Sequence, residues 1–336
     1  MVPPLPVPPD AVVRLAPGVP VDVAATLRPL QRGAADPTVR AAPTGVWLTR
    51  RERVDGAPLP ATLLVSPQVR GEVTARAWGP GAAAALAGLP ALLGLHDTGW
   101  GAFDALLAPD PRRPSLPHAL REARRTRAGL RLPAAGHLAT QLMTVVLEQK
   151  VTHDQARHGW RTLVRLAHGI DDATPPGPAP AGMLLPPTPR AVLAIPSWDW
   201  HARAWVQPAQ SRTVLEVARR ATAVDRLGAA VAPGDVAGTA ALAARLQAIP
   251  GIGPWSAAEA LQRSHGSADL VSVGDFHLAH LVGQVLAGRR TDDAGMLRLL
   301  QPWEGHRQRV VRMIGASGAS KERFGPRLAP ADHRAY

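Results

Sequence analysis

The stretch Leu246-Gln-Ala-Ile-Pro-Gly-Ile-Gly-Pro-Trp-Ser-Ala-Ala-Glu-Ala-Leu261 reads as helix, tight turn, helix. Gly251 and Gly253 give the turn positive-φ freedom or close backbone approach, and Pro254 fits the first position of the second helix. Such a turn exposes backbone N–H groups at a helix N-terminus. Those donors, with the helix dipole, suit one phosphate of a nucleic-acid backbone without reading any base. A bare Gly-x-Gly also serves an ordinary αα-hairpin, so the full string Ile249-Pro-Gly-Ile-Gly253 between two helical patterns is the more specific signal.

The chain around it has 336 residues, 46% apolar and 19% charged, which is enough for two domains with buried cores and excludes a small peptide or a disordered regulator. With 35 prolines and 31 glycines, long loops are expected. Cysteine is absent, which removes disulfides, thiolate zinc sites, iron–sulfur clusters and cysteine nucleophiles together. A reducing cytoplasm fits. The formal charge of +12 is carried almost wholly by arginine and favours a polyanionic partner such as nucleic acid, although a GC-rich coding sequence produces the same arginine excess. The N-terminal run Met1–Pro9 lacks the basic region of a signal peptide, and the apolar run Gly81–Leu95 is interrupted by Pro90 and too short to cross a bilayer. A soluble chain is expected.

Organisation changes near residue 110. Before it, β-like runs at Ala11–Ala16, Val46–Thr49, Ala61–Val65 and Glu72–Trp78 alternate with helical stretches at Val21–Leu30 and Gly81–Leu93. Residues 1–110 therefore read as a small α+β domain. The Pro/Arg-rich link of residues 111–117 resists both helix and strand. Residues 118–320 read as an all-α core: Trp160, Leu163, Val164 and Ala167 share one helix face behind a Thr152-x-x-Gln155 capping box. Asp172–Arg190 reads as a proline-rich surface insertion, and residues 321–336 as a tail.

The hairpin string resembles the helix-hairpin-helix of the HhH-GPD superfamily of DNA glycosylases, with the nearest likeness to its 3-methyladenine DNA glycosylase II group. The likeness continues through Asp269-Leu-Val-Ser-Val-Gly-Asp275, where Gly274-Asp275 matches the family's loop end and catalytic acid, and takes in Gln141–Val151. It covers roughly residues 118–320, and more loosely the N-terminal domain, which matches the TATA-binding-protein-like domain of that group. The fold implied is mainly α, a glycosylase core behind an α+β module.

The resemblance implies double-stranded DNA as partner, a flipped nucleotide and hydrolysis of an N-glycosidic bond, leaving an abasic site. Asp275 would stabilise the sugar cation and orient water; equally, Gly-Asp before an apolar helical run is an ordinary N-cap, and one side chain serves both roles. Trp255 stands where strand-cutting relatives carry a nucleophilic lysine, which implies a monofunctional enzyme and a stacking wall for a cationic alkylated purine; helix packing is the plainer reading. Glu259, one turn on, borders the same pocket or is a solvated charge, and the family more often has an aromatic there. Gly251, Gly253 and Ser256 form the phosphate-side hairpin. Gln149 and Lys150 match the helix end that approaches the lesion, where Lys150 contacts phosphate or the orphan base, or is a solvated helix end. Asp275, His277 and His280 do not share a helix face, so no metal site is expected. No cofactor is implied, and a nucleoid-associated monomer is expected. The alternatives are a non-catalytic binder of damaged DNA and an oxidised-base glycosylase.

Overall fold

The computed structural model describes residues 7–112 and 114–319; the expected tail at 321–336 lies outside the described residues. The N-terminal part is an antiparallel sheet of β1 (Ala11–Leu15), β2 (Val39–Ala42), β3 (Gly45–Val54), β4 (Ala57–Val65) and β5 (Val73–Trp78), in the order β1-β5-β4-β3-β2. The β3–β4 register closes Val54 on Ala57 through Asp55-Gly56, both at positive φ, the backbone that a two-residue hairpin in a right-twisted sheet requires. Pro58 and Pro60 are tolerated in β4 because β5 pairs only with its second half, Thr62–Val65. β2 was not visible in the sequence; four residues at a sheet edge carry too little alternation to be read.

One face of the sheet packs Val46, Leu48, Leu63, Val65, Val73 and Ala75 against α1 (Val23–Leu27), α2 (Ala82–Ala87) and α3 (Leu89–Leu92). The two helical stretches expected here are each divided. Pro29 converts Arg28–Leu30 into a 3-10 turn, and Gly88 separates α2 from α3.

The opposite face is covered as well. Trp47 and Trp78 stack there at 5.6 Å with Leu64, and Met183 from the proline-rich segment seals them. That segment is therefore a strap and not a surface insertion: Met183 and Leu185 are buried, Leu184 N–H donates to the Pro37 carbonyl at 2.7 Å, and Arg51 Nε donates to the Pro186 carbonyl at 2.8 Å. Proline-rich sequence cannot join a ladder, but its apolar side chains supply the cover that two tryptophans need.

α4 (Trp100–Leu106) and α5 (His118–Thr126) pack with α14 (Leu278–Ala287), α15 (Asp293–Leu300) and α16 (Arg307–Ala316) around Phe103, Leu120, Met296, Leu300 and Met313. Trp100 and Phe103 precede the Pro/Arg-rich link and lie in this helical cluster; no helix or strand forms from 107 to 117 among the described residues. A second cluster centres on α6 (Leu138–Val146) and gathers α7 (His153–His168), α8 (Pro189–Ala194), α9 (Ser197–Ala202), α10 (Pro208–Arg219), α11 (Ala221–Ala229), α12 (Val236–Leu246) and α13 (Pro254–Ser264). The Thr152–Gln155 capping box starts α7; Trp160, Leu163 and Val164 face this core, and Ala167 is buried on the same helix.

Candidate active site

α12 and α13 form the two arms read from the sequence, joined through residues 247–253. Ile249 and Ile252 are buried and anchor the turn from below. Gly251 sits at φ +87° against Thr213, whereas a side chain at Gly253 would enter open space, so the backbone is bare where α13 begins. Pro254 occupies the first turn of α13 and no side chain caps it, leaving the first amides without intrahelical acceptors.

Gln149 lies just beyond α6 and spans the gap to this turn. Its Nε2 donates to the Gly251 carbonyl at 2.9 Å and to Ser256 Oγ at 2.8 Å. Ser256 is buried, so its hydroxyl serves this link inside the molecule. Lys150, the next residue after Gln149, is exposed and adopts a left-handed backbone, φ +53°.

The loop after α13 delivers Asp275 to the same place. Gly274 turns the chain at φ +89°, and Asp275 Oδ1 then accepts from the amides of His277 and Leu278, both at 2.8 Å, capping the start of α14. Its Oδ2 accepts from Trp255 Nε1 at 3.2 Å. The cap thus fixes one oxygen and the indole the other, with the carboxylate half-exposed beside the hairpin. A carboxylate held in this way can stabilise a developing cation or orient a water without having to reorganise.

Glu259, one turn beyond Trp255, is half-buried and engaged on both oxygens. Oε2 pairs with Arg263, and Oε1 accepts from Ser272 Oγ. Ser272 in turn takes the Asp275 amide on its carbonyl at 3.2 Å, so Glu259 braces the loop that carries Asp275. Burial alone pushes the Arg263 guanidinium down, but Glu259 and Glu148 outweigh it and the net shift is upward. Arg312 nearby is pushed down to about 10 by burial and by Arg263 and Arg28. Arg32, Glu148, Arg263 and Arg312 were not singled out from the sequence; they come from four separate segments, and no local pattern links them.

His277 is exposed, while His280 Nδ1 contacts the Thr291 carbonyl at 2.8 Å; among the described residues no group of three or more metal-type side chains converges. A separate cleft of about 370 Å³, beside the stacked pair His158 and Trp205, contains neither Trp255 nor Asp275.

Among solved structures the chain is similar to a 3-methyladenine DNA glycosylase from Archaeoglobus fulgidus, with a TM-score of 0.68 at 14% identity, covering 91% of this chain and 98% of that one. It is also similar to the apo form of Clostridium acetobutylicum 8-oxoguanine glycosylase/lyase, with a TM-score of 0.64 at 8% identity over 91% and 96% of the two chains. A third likeness is to MBOgg1 in complex with a low-affinity DNA ligand, with a TM-score of 0.63 at 13% identity over 91% and 94%. No protein-family model and no curated protein matches the sequence. The property shared at these identities is the fold, which extends over nearly the whole of each chain.

Proposed function

We propose that this chain, which has the fold of DNA glycosylases, is a monofunctional DNA N-glycosylase acting on alkylated purines, with double-stranded DNA as its partner. The observation that carries this reading is the Trp255–Asp275 pair beside the Gly251–Gly253 turn, whose backbone faces open space at Gly253. The turn takes a backbone phosphate, with exposed Lys150 on the adjoining segment, while the damaged nucleotide rotates out of the stack.

The chemistry needs little more than one carboxylate. A purine alkylated at N3 or N7 already carries positive charge, so it departs without a strong general acid. Asp275 stabilises the oxocarbenium-like sugar and orients or deprotonates the water that attacks it. Trp255 offers a π-face to the cationic base. Its side chain has no amine to form a Schiff base with the sugar, which supports base release without strand cleavage.

The test is incubation with alkylated duplex DNA followed by chromatography of the released bases. Asp275→Asn is expected to lower release by roughly 10²–10³-fold or more while binding to damaged duplex persists. Absence of release by the native protein, with binding retained, would leave a binder of damaged DNA; a borohydride-trapped covalent adduct would instead indicate a strand-cutting enzyme.

A further inference from the structure

The cleft beside His158 and Trp205 holds about 370 Å³, within the size range of small-molecule sites, and the chemistry at Asp275 uses none of it. Its floor is one side of α7, where Asp154, Arg157, His158 and Arg161 recur at helical spacing. Trp205, from the turn between α9 and α10, forms one wall, and the backbone of residues 33–35 forms the other.

The aromatic wall is held in place from several directions. Trp205 lies on the His158 ring, with 3.8 Å between centroids and 19° between planes, and His158 Nε2 stands 2.8 Å from the Arg203 carbonyl. Next to the indole, Val206 N–H donates to the Trp200 carbonyl at 2.9 Å and the Val206 carbonyl lies 2.7 Å from His201 Nδ1. Trp205 itself has φ +56°, a left-handed backbone that bulky residues rarely adopt and glycine adopts freely. Strain of that kind concentrates where a side chain is used, and here the half-exposed indole lines a cleft.

The floor supplies positive charge with unspent donors. Arg161 is half-buried and makes no hydrogen bond or ion pair among the described residues. Arg157 is fixed by its stem, since a Cβ at Gly33 would lie 3.0 Å from its Cδ. Its guanidinium stands 3.5 Å from Asp154, longer than the roughly 2.7–2.9 Å of a formed charge-assisted hydrogen bond, and the Asp154 side chain is 79% exposed. A guanidinium carries five N–H donors, so both arginines keep donors for a ligand. An aromatic plate beside two such groups has the chemistry of a nucleotide receptor: the base stacks, and the phosphate takes forked hydrogen bonds.

Each side of the cleft is anchored to one corner of the chain, residues 148–152. Arg32, which precedes Gly33, pairs with Glu148 at 3.3 Å; Gln210, in the first turn of α10, donates to the Gln149 carbonyl at 3.0 Å; and the Thr152 cap starts α7. The same corner touches the hairpin, because Gln149 Nε2 donates to the Gly251 carbonyl, and exposed Lys150 stands on it. That shared corner favours a nucleotide belonging to a DNA strand over a free one.

We propose that this cleft is a nucleotide-binding site separate from the Trp255–Asp275 pair, in which the Trp205–His158 wall receives an unpaired base of a DNA strand and Arg157 and Arg161 receive its phosphate. A base inside a paired duplex has no free face to offer such a wall. The assignment stands whether or not the chain cleaves a glycosidic bond.

The experiment titrates the full chain, by fluorescence anisotropy over a salt series, into a labelled single-stranded oligonucleotide and into the undamaged duplex of the same sequence. Arg161→Ala is expected to weaken single-strand binding and to reduce its salt slope by about 0.7, the loss of one single-strand phosphate contact. Trp205→Gly, which also suits the left-handed backbone, is expected to weaken single-strand binding about tenfold with the slope unchanged, the loss of one stacked base. Both variants should hold the duplex within about twofold of the native protein. Arg161→Ala truncates an unpartnered side chain and keeps the test open should the glycine variant fail to fold. No single-strand binding by the native protein, or an affinity unchanged in both variants, overturns the proposal; so does an equal loss on single strand and duplex, which would mark general backbone contact. Unlabelled deoxyadenosine monophosphate and inorganic phosphate are added as competitors. Displacement of the strand by the mononucleotide at concentrations where phosphate has no effect would make the ligand a free nucleotide and overturn its assignment to DNA; displacement by neither is the expected result.

Discussion

Gly251 lies so close to Thr213 that a Cβ at position 251 would sit 2.0 Å from the threonine Oγ1, at a backbone φ of +87°. Glycine is required here for two independent reasons, the left-handed backbone and the contact with α10. Gly251→Ala is expected to cost about 2–4 kcal/mol from strain and overpacking together, read as a lower urea midpoint. Thr213→Ala in the same chain removes the Oγ1 and Cγ2 clashes but keeps the Cβ 2.9 Å away and the left-handed backbone, so recovery is incomplete. Full recovery would show that the backbone conformation of the turn imposes no demand for glycine.

Trp255 contributes both a ring and an N–H, and substitution separates them. Trp255→Phe keeps an aromatic face but removes the donor to Asp275 Oδ2. Base release is expected to fall about tenfold with little change in damaged-DNA affinity, because one hydrogen bond to a charged group is lost while stacking remains. Trp255→Ala loses both, so affinity falls as well. If the Phe variant releases base at the native rate, the indole does not orient the carboxylate.

What could be read from the sequence follows the range of the signals. The hairpin at 246–261 and the start of α7 are specified by neighbours a few residues apart: glycines, a proline at a helix start, a capping box. Asp275 before an apolar helical run is likewise local, and its bonds to the amides of His277 and Leu278 follow from that spacing. The link from Gln149 to Gly251 and Ser256 crosses about a hundred residues, and the Arg32–Glu148–Arg263 network joins three segments; neither has a one-dimensional signature. The burial of the strap has no local signature for a related reason. Proline marks what Asp172–Arg190 cannot form, whereas its destination depends on Trp47 and Trp78 far upstream.

The strap should behave as part of the core. Met183 is buried against the stacked Trp47–Trp78 pair, and Gly177 packs so close to Trp78 that a Cβ there would approach its ring at 2.3 Å. Met183→Ala is expected to destabilise the protein by about 2–5 kcal/mol, the range for a truncated buried methionine, and to red-shift tryptophan fluorescence before global unfolding. A surface insertion would give less than about 0.5 kcal/mol, which a denaturant titration resolves.

Acid should weaken the fold through His265 before the carboxylates titrate. Its ring is buried, with Nε2 3.0 Å from the Gly228 carbonyl and Nδ1 2.7 Å from Ser264 Oγ. Burial pushes its pKa below the ordinary value, with the Gly228 carbonyl opposing only in part. The unfolded chain therefore binds the proton more readily. Stability from this residue is complete above the unfolded imidazole pKa of about 6.5 and declines as pH falls below it. His306, lowered chiefly by burial and next by Arg309, acts in the same direction. The urea midpoint is thus expected to drop between about pH 7.5 and about pH 5.5, and His265→Gln, although less stable at both, should show a smaller drop, with His306 accounting for part of what remains. An undiminished drop in the variant would place the acid sensitivity elsewhere.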